Sequence, residues 1–296
     1  MLVEENFDVT RLTSFKCGGK IKKVIFPESV EEFVQVLKDY PDAKVFGNLT
    51  NTLVSSDGYS GTIILTTKMT NFRFDGNKVE AECGLKGAKL SQAAEEKGLS
   101  GLEFMIAFPG TIGGEVFMNA GAHGQNIAGC FVEAKCYNPE SGVITMKKDD
   151  MNFSYRTSVC QTKNLIVLSA VFELQPASAE DIKAKMDENL HFRKTHQPSL
   201  TLPNCGSVFR NPEGNSSGRL LEQAGVKGYT SGGARVWENH ANFIINQGGS
   251  SSDILNVIQK MRNSVREKFN IELRPEVRFL GDNSKEVEIC KDLKII

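Results

Sequence analysis

The stretch PGTIGGEVFMNAGAHG, residues 109–124, decides the fold prediction. Its glycines at positions 110, 113, 114, 121 and 124 let the backbone approach a ligand closely and take positive φ values. Residues 111–118 are predicted to form a helix whose free N–H groups and dipole would suit a phosphate. Tight turns packed against one another explain the glycines equally well. Neither G-x-G-x-x-G nor G-x-x-x-x-G-K-[ST] occurs, so neither a Rossmann fingerprint nor a Walker loop is predicted.

The chain before this stretch alternates between strand and helix patterns. KKVIFP, AKVFG and GTIILTT are predicted strands, and SVEEFVQVLKDY is a predicted helix that Ser29 can cap. This order is the beginning of a βαβ unit. NKVEAECG then predicts a strand, and AKLSQAAEEKG predicts a helix that ends at Gly98.

The pattern changes near residues 175–178. FVEAKCYN and GVITM predict a hairpin, and NLIVLSAVFEL predicts a buried strand that closes the N-terminal part. Beyond it, ASAEDIKAKMDENLHFRKTH, SSGRLLEQAG and SSDILNVIQKMRNSVREKFN predict helices, and HANFIINQ and IELRPEVRFLG predict strands. We therefore predict an N-terminal α/β part, residues 1–175, and a C-terminal α+β domain, residues 176–296.

Composition excludes several classes of function. The chain has 296 residues and a formal net charge of −1, which argues against nucleic acid or an anionic membrane as the main partner. No apolar run is long enough to span a membrane, and no secretory signal is expected at the N-terminus. The 7 cysteines and 4 histidines are scattered without a CxxC pair, so we expect reduced thiols, a cytoplasmic location and no metal site.

Two stretches could bind an anion. The polar loop GNLTNT, residues 47–52, follows a predicted strand, where ligands often bind and where backbone N–H groups can form an anion nest. In FSYRTS, Arg156 offers a rigid fork of donors for a carboxylate or phosphate. A plain hydrophilic connection and an exposed strand arginine are the alternative interpretations.

Two further stretches carry candidate acid–base groups. CGSVFRNP, residues 205–212, places Ser207 before two apolar residues, with Arg210 and Asn211 close by. In RPEVRFLG, Glu276 and Arg278 alternate with apolar residues and would share one face of a strand. Taken alone, the first stretch is better explained as a short strand ending in a turn, and the second as a solvated strand face.

Taken in order, five stretches resemble one family, UDP-N-acetylenolpyruvoylglucosamine reductase, also called UDP-N-acetylmuramate dehydrogenase. These stretches are GLEFMIAFPGTIGGEVFMNAGAHG, YRTS, GSVFRNP, AGVKGYTSGGARV with HANFIINQG, and LRPEVRFLG. They cover most of the chain in the family's order and spacing. The length fits the shorter form of the family.

The resemblance implies a fold and a reaction. The α+β fold would consist of a two-lobed FAD-binding unit of the vanillyl-alcohol-oxidase type, with lobes at about 1–68 and 69–175, and a C-terminal substrate-binding domain. NADPH would reduce non-covalently bound FAD, and UDP-N-acetylglucosamine enolpyruvate would become UDP-N-acetylmuramate for peptidoglycan, hence for cell-wall growth, cell shape and cell division. A monomer is expected.

The resemblance also implies site residues. Ser207 matches the proton donor, Arg156 the arginine near the substrate carboxylate, and Glu276 their acidic partner, for which we expect a perturbed pKa. Substrate contacts are implied for Tyr155, Asn211, Arg278, Lys194 and His240. FAD contacts are implied for Gly47, Asn48, Leu49, Thr50, Asn51, Gly110, Thr111, Gly113, Gly114, Asn119 and Gly121.

The sequence departs from the family pattern at three places. Leu49 and Ala107 stand where glycine is usual, and Cys160 stands where an aromatic residue is common. A Cβ at position 49 would shift the flavin-phosphate loop and weaken FAD binding. Two alternatives therefore stay open, a related flavin-dependent carbohydrate oxidase and a non-catalytic relative that binds a sugar nucleotide.

Overall fold

The computed structural model of the chain describes residues 1–295; Ile296, the last residue of the predicted C-terminal domain, lies outside the described residues. The chain forms two compact units. Unit 1 consists of Met1–Val3, Val24–Asn48 and Thr62–Phe192, and unit 2 consists of Glu4–Lys23, Leu49–Gly61 and the chain from residue 193 onward.

Unit 1 contains the strands β3 (Lys44–Phe46), β6 (Phe72–Asp75), β7 (Lys78–Glu82), β8 (Leu99–Ser100), β9 (Gly121–Ala122), β10 (Gln125–Asn126), β11 (Phe131–Asn138), β12 (Gly142–Lys147), β13 (Ile166–Glu173) and β14 (Gln175–Pro176). Five of these strands form the antiparallel sheet around which unit 1 is built, in the order β12-β11-β13-β7-β6. The α-helices of unit 1 are α1 (Val30–Asp39), α2 (Gly87–Glu96), α3 (Ile112–Met118) and α4 (Ile127–Cys130). Its 3₁₀ helices span Thr66–Lys68, Glu103–Ala107, Lys148–Met151 and Val159–Gln161.

Unit 2 packs its helices against short strands. Its elements are β4 (Thr52–Val54), α6 (Ser217–Gln223), β15 (Thr230–Ser231), β16 (Ala234–Val236), β17 (Ile244–Asn246), α7 (Ser251–Phe269), β18 (Arg278–Leu280) and α8 (Ser284–Leu293). Four elements cross the residue boundaries of the two units, namely β1 (Leu2–Asp8), β2 (Lys20–Phe26), β5 (Tyr59–Leu65) and α5 (Ala179–His196). Strands β1-β2-β5-β3 form a four-stranded sheet in that order.

Each unit has its own apolar core. In unit 1, buried side chains of the five-stranded sheet, such as Val79 and Phe172, pack with those of α1, α2 and α3. In unit 2, Ile254 and Ile258 from the buried face of α7 belong to the same apolar cluster as Val208 and Phe209. The predicted acid–base segment is therefore part of the core that α7 helps to form.

Local signals predicted the longer helices α1, α5 and α7 and the strands of the hairpin correctly. Ser29 caps α1 by accepting a hydrogen bond from the Glu32 N–H, and β11 pairs with β12 across the predicted hairpin, with Asn138 opposite Gly142. β3 and β5 run parallel, as the βαβ pattern indicates. Helix α7 has a capping box between Ser250 and Asp253.

Two predicted features differ from the structure, and several elements were not predicted at all, among them β1, β6, β16 and α8. The predicted boundary at 175/176 does not coincide with the compact units, because most of α5 belongs to unit 1, where Asn189 Nδ2 donates to the Glu103 carbonyl at 3.0 Å. The predicted final strand, residues 271–281, shortens to β18. Residue Pro275 has no N–H, and its segment makes only an isolated bridge to Phe209 before β18 pairs in parallel with β4.

Candidate active site

Unit 1 contains an open cleft of about 260 Å³. It is lined by Asn48, Thr67, Thr70, Gly84, Leu85, Lys86, Lys89 and Thr111. Asn48 and Thr111 come from two different predicted anion-binding stretches, so the fold brings parts of both stretches together. The sequence interpretation missed Lys86 and Lys89, which carry no motif but supply positive charge.

Close backbone contact shapes one wall of this cleft. A Cβ built on Gly47 would lie 2.1 Å from Thr111 Oγ1, so only glycine lets the loop approach Thr111 this closely. Asn48 Nδ2 donates to the Pro109 carbonyl at 2.6 Å, which fixes the loop against the start of the glycine-rich stretch. Hydroxyl, amide and lysine groups around a glycine-lined cleft are donors that suit a diphosphate. The residues present therefore fit the diphosphate of a flavin nucleotide.

Several other glycine-stretch residues have internal contacts. A Cβ on Gly113 would lie 2.8 Å from the Cys83 Cβ, and one on Gly121 would lie 2.5 Å from the Gln125 carbonyl oxygen. Asn119 ends α3 in the left-handed conformation, and its amide bonds the Ser154 carbonyl and the Ala128 N–H. These contacts explain the residue types by packing alone. Gly114 is exposed.

Glu115 in the first turn of α3 is an unexpected buried acid. It is 3% exposed, and neither carboxyl oxygen has a hydrogen-bond partner. The carboxyl group lies against Gly87 and Gly110, where a Cβ would come within 2.4 Å and 2.8 Å of its oxygens. Burial raises the pKa of Glu115 to about 8, so the group holds its proton at neutral pH. Nothing in the sequence pattern distinguishes this glutamate from a solvated one.

Arg156 lies at the tip of a two-residue turn in unit 1. Ser154 and Thr157 exchange two backbone hydrogen bonds of 3.1 Å, and Tyr155 and Arg156 form the turn between them. Arg156 has a φ of 56°, which costs free energy for a residue with a Cβ and is typical of functional positions. Its guanidinium lies 5.2 Å from the centre of the Tyr155 ring. Gln161 donates to the Arg156 carbonyl at 3.1 Å and anchors the turn.

Ser207 and Glu276 lie on neighbouring segments of unit 2. The Glu276 N–H donates to the Val208 carbonyl at 2.7 Å, and the Arg210 N–H donates to the Arg274 carbonyl at 3.0 Å. These bonds fix the register between the two predicted catalytic stretches. Ser207 itself is exposed, and Glu276 is partly buried.

Asn51 joins the predicted flavin loop to the Glu276 segment within unit 2. Its Nδ2 donates to the Glu276 carbonyl at 2.8 Å, and its carbonyl accepts from the Arg278 N–H at 3.0 Å. Thr50 is partly buried beside it. The loop 47–51 is therefore divided, with its first two residues in unit 1 and its last three in unit 2.

Arg278 is held close to a second arginine. Burial, followed by the positive charge of Arg210, lowers the pKa of Arg278 below its ordinary value. The buried Nε of Arg210 has no hydrogen-bond partner. The positive charges of these two side chains would favour an anionic ligand beside them.

The remaining predicted substrate residues are also in unit 2. His240 is partly buried, accepts the Asn242 N–H at 3.2 Å, and has its pKa lowered by burial. Asn211 accepts from both the N–H and the hydroxyl of Ser217 at 3.0 Å. Lys194 is exposed near the end of α5.

Comparisons with known proteins cover nearly the whole chain. A protein from Caldicellulosiruptor bescii named UDP-N-acetylenolpyruvoylglucosamine reductase is 42% identical over 277 residues, 91% of this chain and 88% of that protein. The chain belongs to the UDP-N-acetylenolpyruvoylglucosamine reductase family. A Bacillus subtilis member of the same name is 39% identical over 92% of this chain and 91% of its own length.

Family models and a solved structure agree with the UDP-N-acetylenolpyruvoylglucosamine reductase family. Residues 21–146 match the model described as FAD binding domain, and residues 197–280 match the C-terminal domain of UDP-N-acetylenolpyruvoylglucosamine reductase. The crystal structure of the reductase from Thermus caldophilus superposes with a TM-score of 0.82 at 28% identity, over 95% of this chain and 99% of that one. The predicted α+β class, with an FAD-binding unit and a C-terminal domain, is confirmed.

Leu49, where the resemblance implies a glycine, has a backbone conformation that favours glycine. Its φ is 55°, in the left-handed region, and its side chain is only 3% exposed. The loop therefore accepts a leucine by burying it. The burial offsets the cost of the backbone conformation.

Other classes of site receive no support in the described chain. No group of three or more His, Cys, Asp or Glu side chains in residues 1–295 is arranged to hold a metal ion. Within the same range, no helix is both long and apolar enough to cross a membrane. All seven cysteines are free thiols.

Proposed function

We propose that the protein reduces UDP-N-acetylglucosamine enolpyruvate to UDP-N-acetylmuramate, with NADPH as the reductant, in a cytoplasmic step of peptidoglycan synthesis. The observation that carries this proposal is the family membership along 91% of the chain. The unit 1 cleft, with Asn48, Thr111 and two lysines, supports FAD as the cofactor. We also propose that the protein acts as a monomer.

FAD, when bound, supplies a hydride taken from NADPH to the β-carbon of the enolpyruvyl group. Ser207 donates a proton from its hydroxyl to the α-carbon, so the double bond gains one hydride and one proton. A serine hydroxyl is a weak acid, so it needs a basic acceptor and accurate alignment. The register that joins Ser207 to Glu276 through Val208 supports this alignment.

The charged residues act on the negative charge that develops as hydride arrives. Arg156 would bind the substrate carboxylate, and the turn closed by Ser154 and Thr157 would hold its backbone in place. Glu276 would stabilise the enolate-like state through a hydrogen bond. Arg278 would bind an anionic group of the substrate, which the nearby Arg210 charge also favours.

The test is product formation by the purified, FAD-loaded protein. Incubation with NADPH and UDP-N-acetylglucosamine enolpyruvate should convert the substrate to a product heavier by two hydrogen atoms, detected by mass spectrometry. NADPH consumption should match product formation mole for mole. NADPH consumption without the reduced sugar nucleotide would contradict the proposal, as would unchanged substrate under all flavin and NADPH concentrations.

A further inference from the structure

Asn242 holds the segment that follows Ser207 through a set of buried hydrogen bonds. Its side-chain Oδ1 accepts the Phe209 N–H at 2.9 Å, and its Nδ2 donates to the Phe209 carbonyl at 2.9 Å. Its own backbone carbonyl accepts the Val208 N–H at 2.9 Å. Asn242 is 3% exposed. One side chain therefore supplies the pair of bonds that a neighbouring strand residue would normally supply.

Ser217 extends this arrangement to the end of the segment. Its hydroxyl oxygen accepts from Asn242 Nδ2 at 2.9 Å and lies 3.2 Å from the Phe209 carbonyl oxygen. The same hydroxyl and the Ser217 N–H each lie 3.0 Å from Asn211 Oδ1. Ser217 is fully buried, so these bonds are shielded from water.

The opposite edge of the same segment is held by the Glu276 segment. The Val208 carbonyl accepts from the Glu276 N–H, and the Arg210 N–H donates to the Arg274 carbonyl. Residues 208–210 therefore have partners on both edges, while Ser207, immediately before them, is exposed. The direction of the Ser207 side chain depends on how rigidly its next neighbour is held.

We propose that Asn242 and Ser217 are positioning residues for proton transfer, because their side chains hold residues 208–211 in the conformation that directs the Ser207 hydroxyl at the substrate. This inference rests on the proposed function. A weak acid gains most from accurate placement, and a misplacement of about 1 Å can cost a reaction about 100-fold. The family resemblance assigned roles to His240, which bonds the Asn242 N–H, and to Asn211, which bonds Ser217. It assigned none to Asn242 or Ser217.

Unit 2 offers a matched control four residues further along the chain. Asn246 is 2% exposed, and its Nδ2 donates to the carbonyls of Phe15 and Gly249 at 3.0 Å and 3.1 Å. Its Oδ1 accepts the Gly249 N–H at 2.9 Å. Asn246 therefore makes bonds of the same kind and burial but holds a different loop. Loss of either asparagine should destabilise unit 2, and only loss of Asn242 should affect Ser207.

The experiment compares Asn242→Ala, Ser217→Ala and Asn246→Ala in the full FAD-loaded chain. Flavin absorbance gives the rate of reduction by NADPH and, in anaerobic rapid mixing, the rate of reoxidation by UDP-N-acetylglucosamine enolpyruvate. We expect Asn242→Ala and Ser217→Ala to slow reoxidation by roughly 10- to 100-fold and to increase its solvent deuterium isotope effect. Reduction by NADPH should stay unchanged in all three variants, and Asn246→Ala should keep the wild-type reoxidation rate.

Amide hydrogen exchange provides a readout that does not depend on activity. The Phe209 and Val208 amides should exchange faster in Asn242→Ala than in wild type, and at the wild-type rate in Asn246→Ala. If Asn242→Ala does not fold, Ser217→Ala removes only one oxygen atom and carries the same test. Equal reoxidation rates in the Asn242 and Asn246 variants, or in Ser217→Ala and wild type, would overturn the inference. Failure of the wild-type protein to reoxidise would instead overturn the proposed function.

Discussion

The buried carboxyl of Glu115 predicts how the stability of unit 1 changes with pH. Both of its oxygens are buried without a hydrogen-bond partner, and burial raises its pKa from 4.5 to about 8. The folded protein therefore keeps a proton at neutral pH that the unfolded chain releases. A group of this kind stabilises the folded state most below its unfolded pKa and loses this contribution as pH rises.

The size of the effect follows from the two pKa values. Between pH 4.5 and about 8, the unfolded chain has lost the proton and the folded chain retains it. The free energy of unfolding should fall across this interval by about 1.4 kcal/mol for each pH unit. Below the interval both states hold the proton, and above it both have lost it. The total loss is then a few kcal/mol, about 5 at most.

The assay compares wild type with Glu115→Gln, which has the same shape but cannot titrate. Urea unfolding is measured at several pH values and one fixed FAD concentration. Far-UV circular dichroism is used instead of tryptophan fluorescence, because the single tryptophan, Trp237, lies in unit 2. The buried amide makes the variant less stable at pH 5, and the difference should shrink or reverse toward pH 8. The exposed Glu96→Gln in the same unit should follow the wild-type curve. Parallel curves for wild type and Glu115→Gln would show that Glu115 does not titrate differently in the folded and unfolded chain.

Three further predictions follow from the flavin loop and the proposed acid. Leu49 is buried at positive φ, so Leu49→Gly should lose side-chain burial, and Leu49→Ala should lose burial and keep the backbone strain. In urea unfolding, we expect Leu49→Gly to be about 1–3 kcal/mol less stable than wild type and Leu49→Ala to be less stable still. An Ala variant more stable than the Gly variant would show that the backbone is not strained. Gly47→Ala should weaken FAD binding about tenfold, about 1.4 kcal/mol, in a flavin fluorescence titration, because its Cβ would lie 2.1 Å from Thr111 Oγ1; unchanged affinity would place the flavin elsewhere. Ser207→Ala should keep flavin reduction by NADPH and slow reoxidation by the enolpyruvyl substrate roughly 10²- to 10⁴-fold; wild-type reoxidation would exclude Ser207 as the acid.

Elements with strong local signals were predictable from the sequence. Ser29 and Ser250 cap helices α1 and α7 by accepting N–H groups of the first turn, and the apolar periodicity of both helices continues over the observed length. The stretches around Gly47 and Thr111 contribute Asn48 and Thr111 to one cleft, and anion binding there stays a prediction. Capping serines and glycines indicate the local backbone conformation, so the sequence alone predicts these features.

Contacts between distant segments were not predictable in the same way. Most of α5 belongs to unit 1, where Asn189 bonds the distant Glu103 carbonyl. The backbone of Phe209 is bonded by the side chain of Asn242, 33 residues further along the chain. The sequence pattern gives no indication that Glu115 is buried, because its burial depends on contacts with distant parts of the chain. Lys86 and Lys89 reach the cleft only because β7 and α2 place them beside Thr111.

The most direct test of the proposed reaction uses the absorbance of the flavin itself. The FAD-loaded protein is reduced anaerobically with one equivalent of NADPH and then mixed with UDP-N-acetylglucosamine enolpyruvate. The absorbance of oxidised flavin should disappear with NADPH and return without oxygen in proportion to the enolpyruvyl substrate added. Flavin that stays reduced until oxygen is admitted would contradict the account and indicate an oxidase. A protein that binds no FAD would contradict it as well and indicate a relative that only binds the sugar nucleotide.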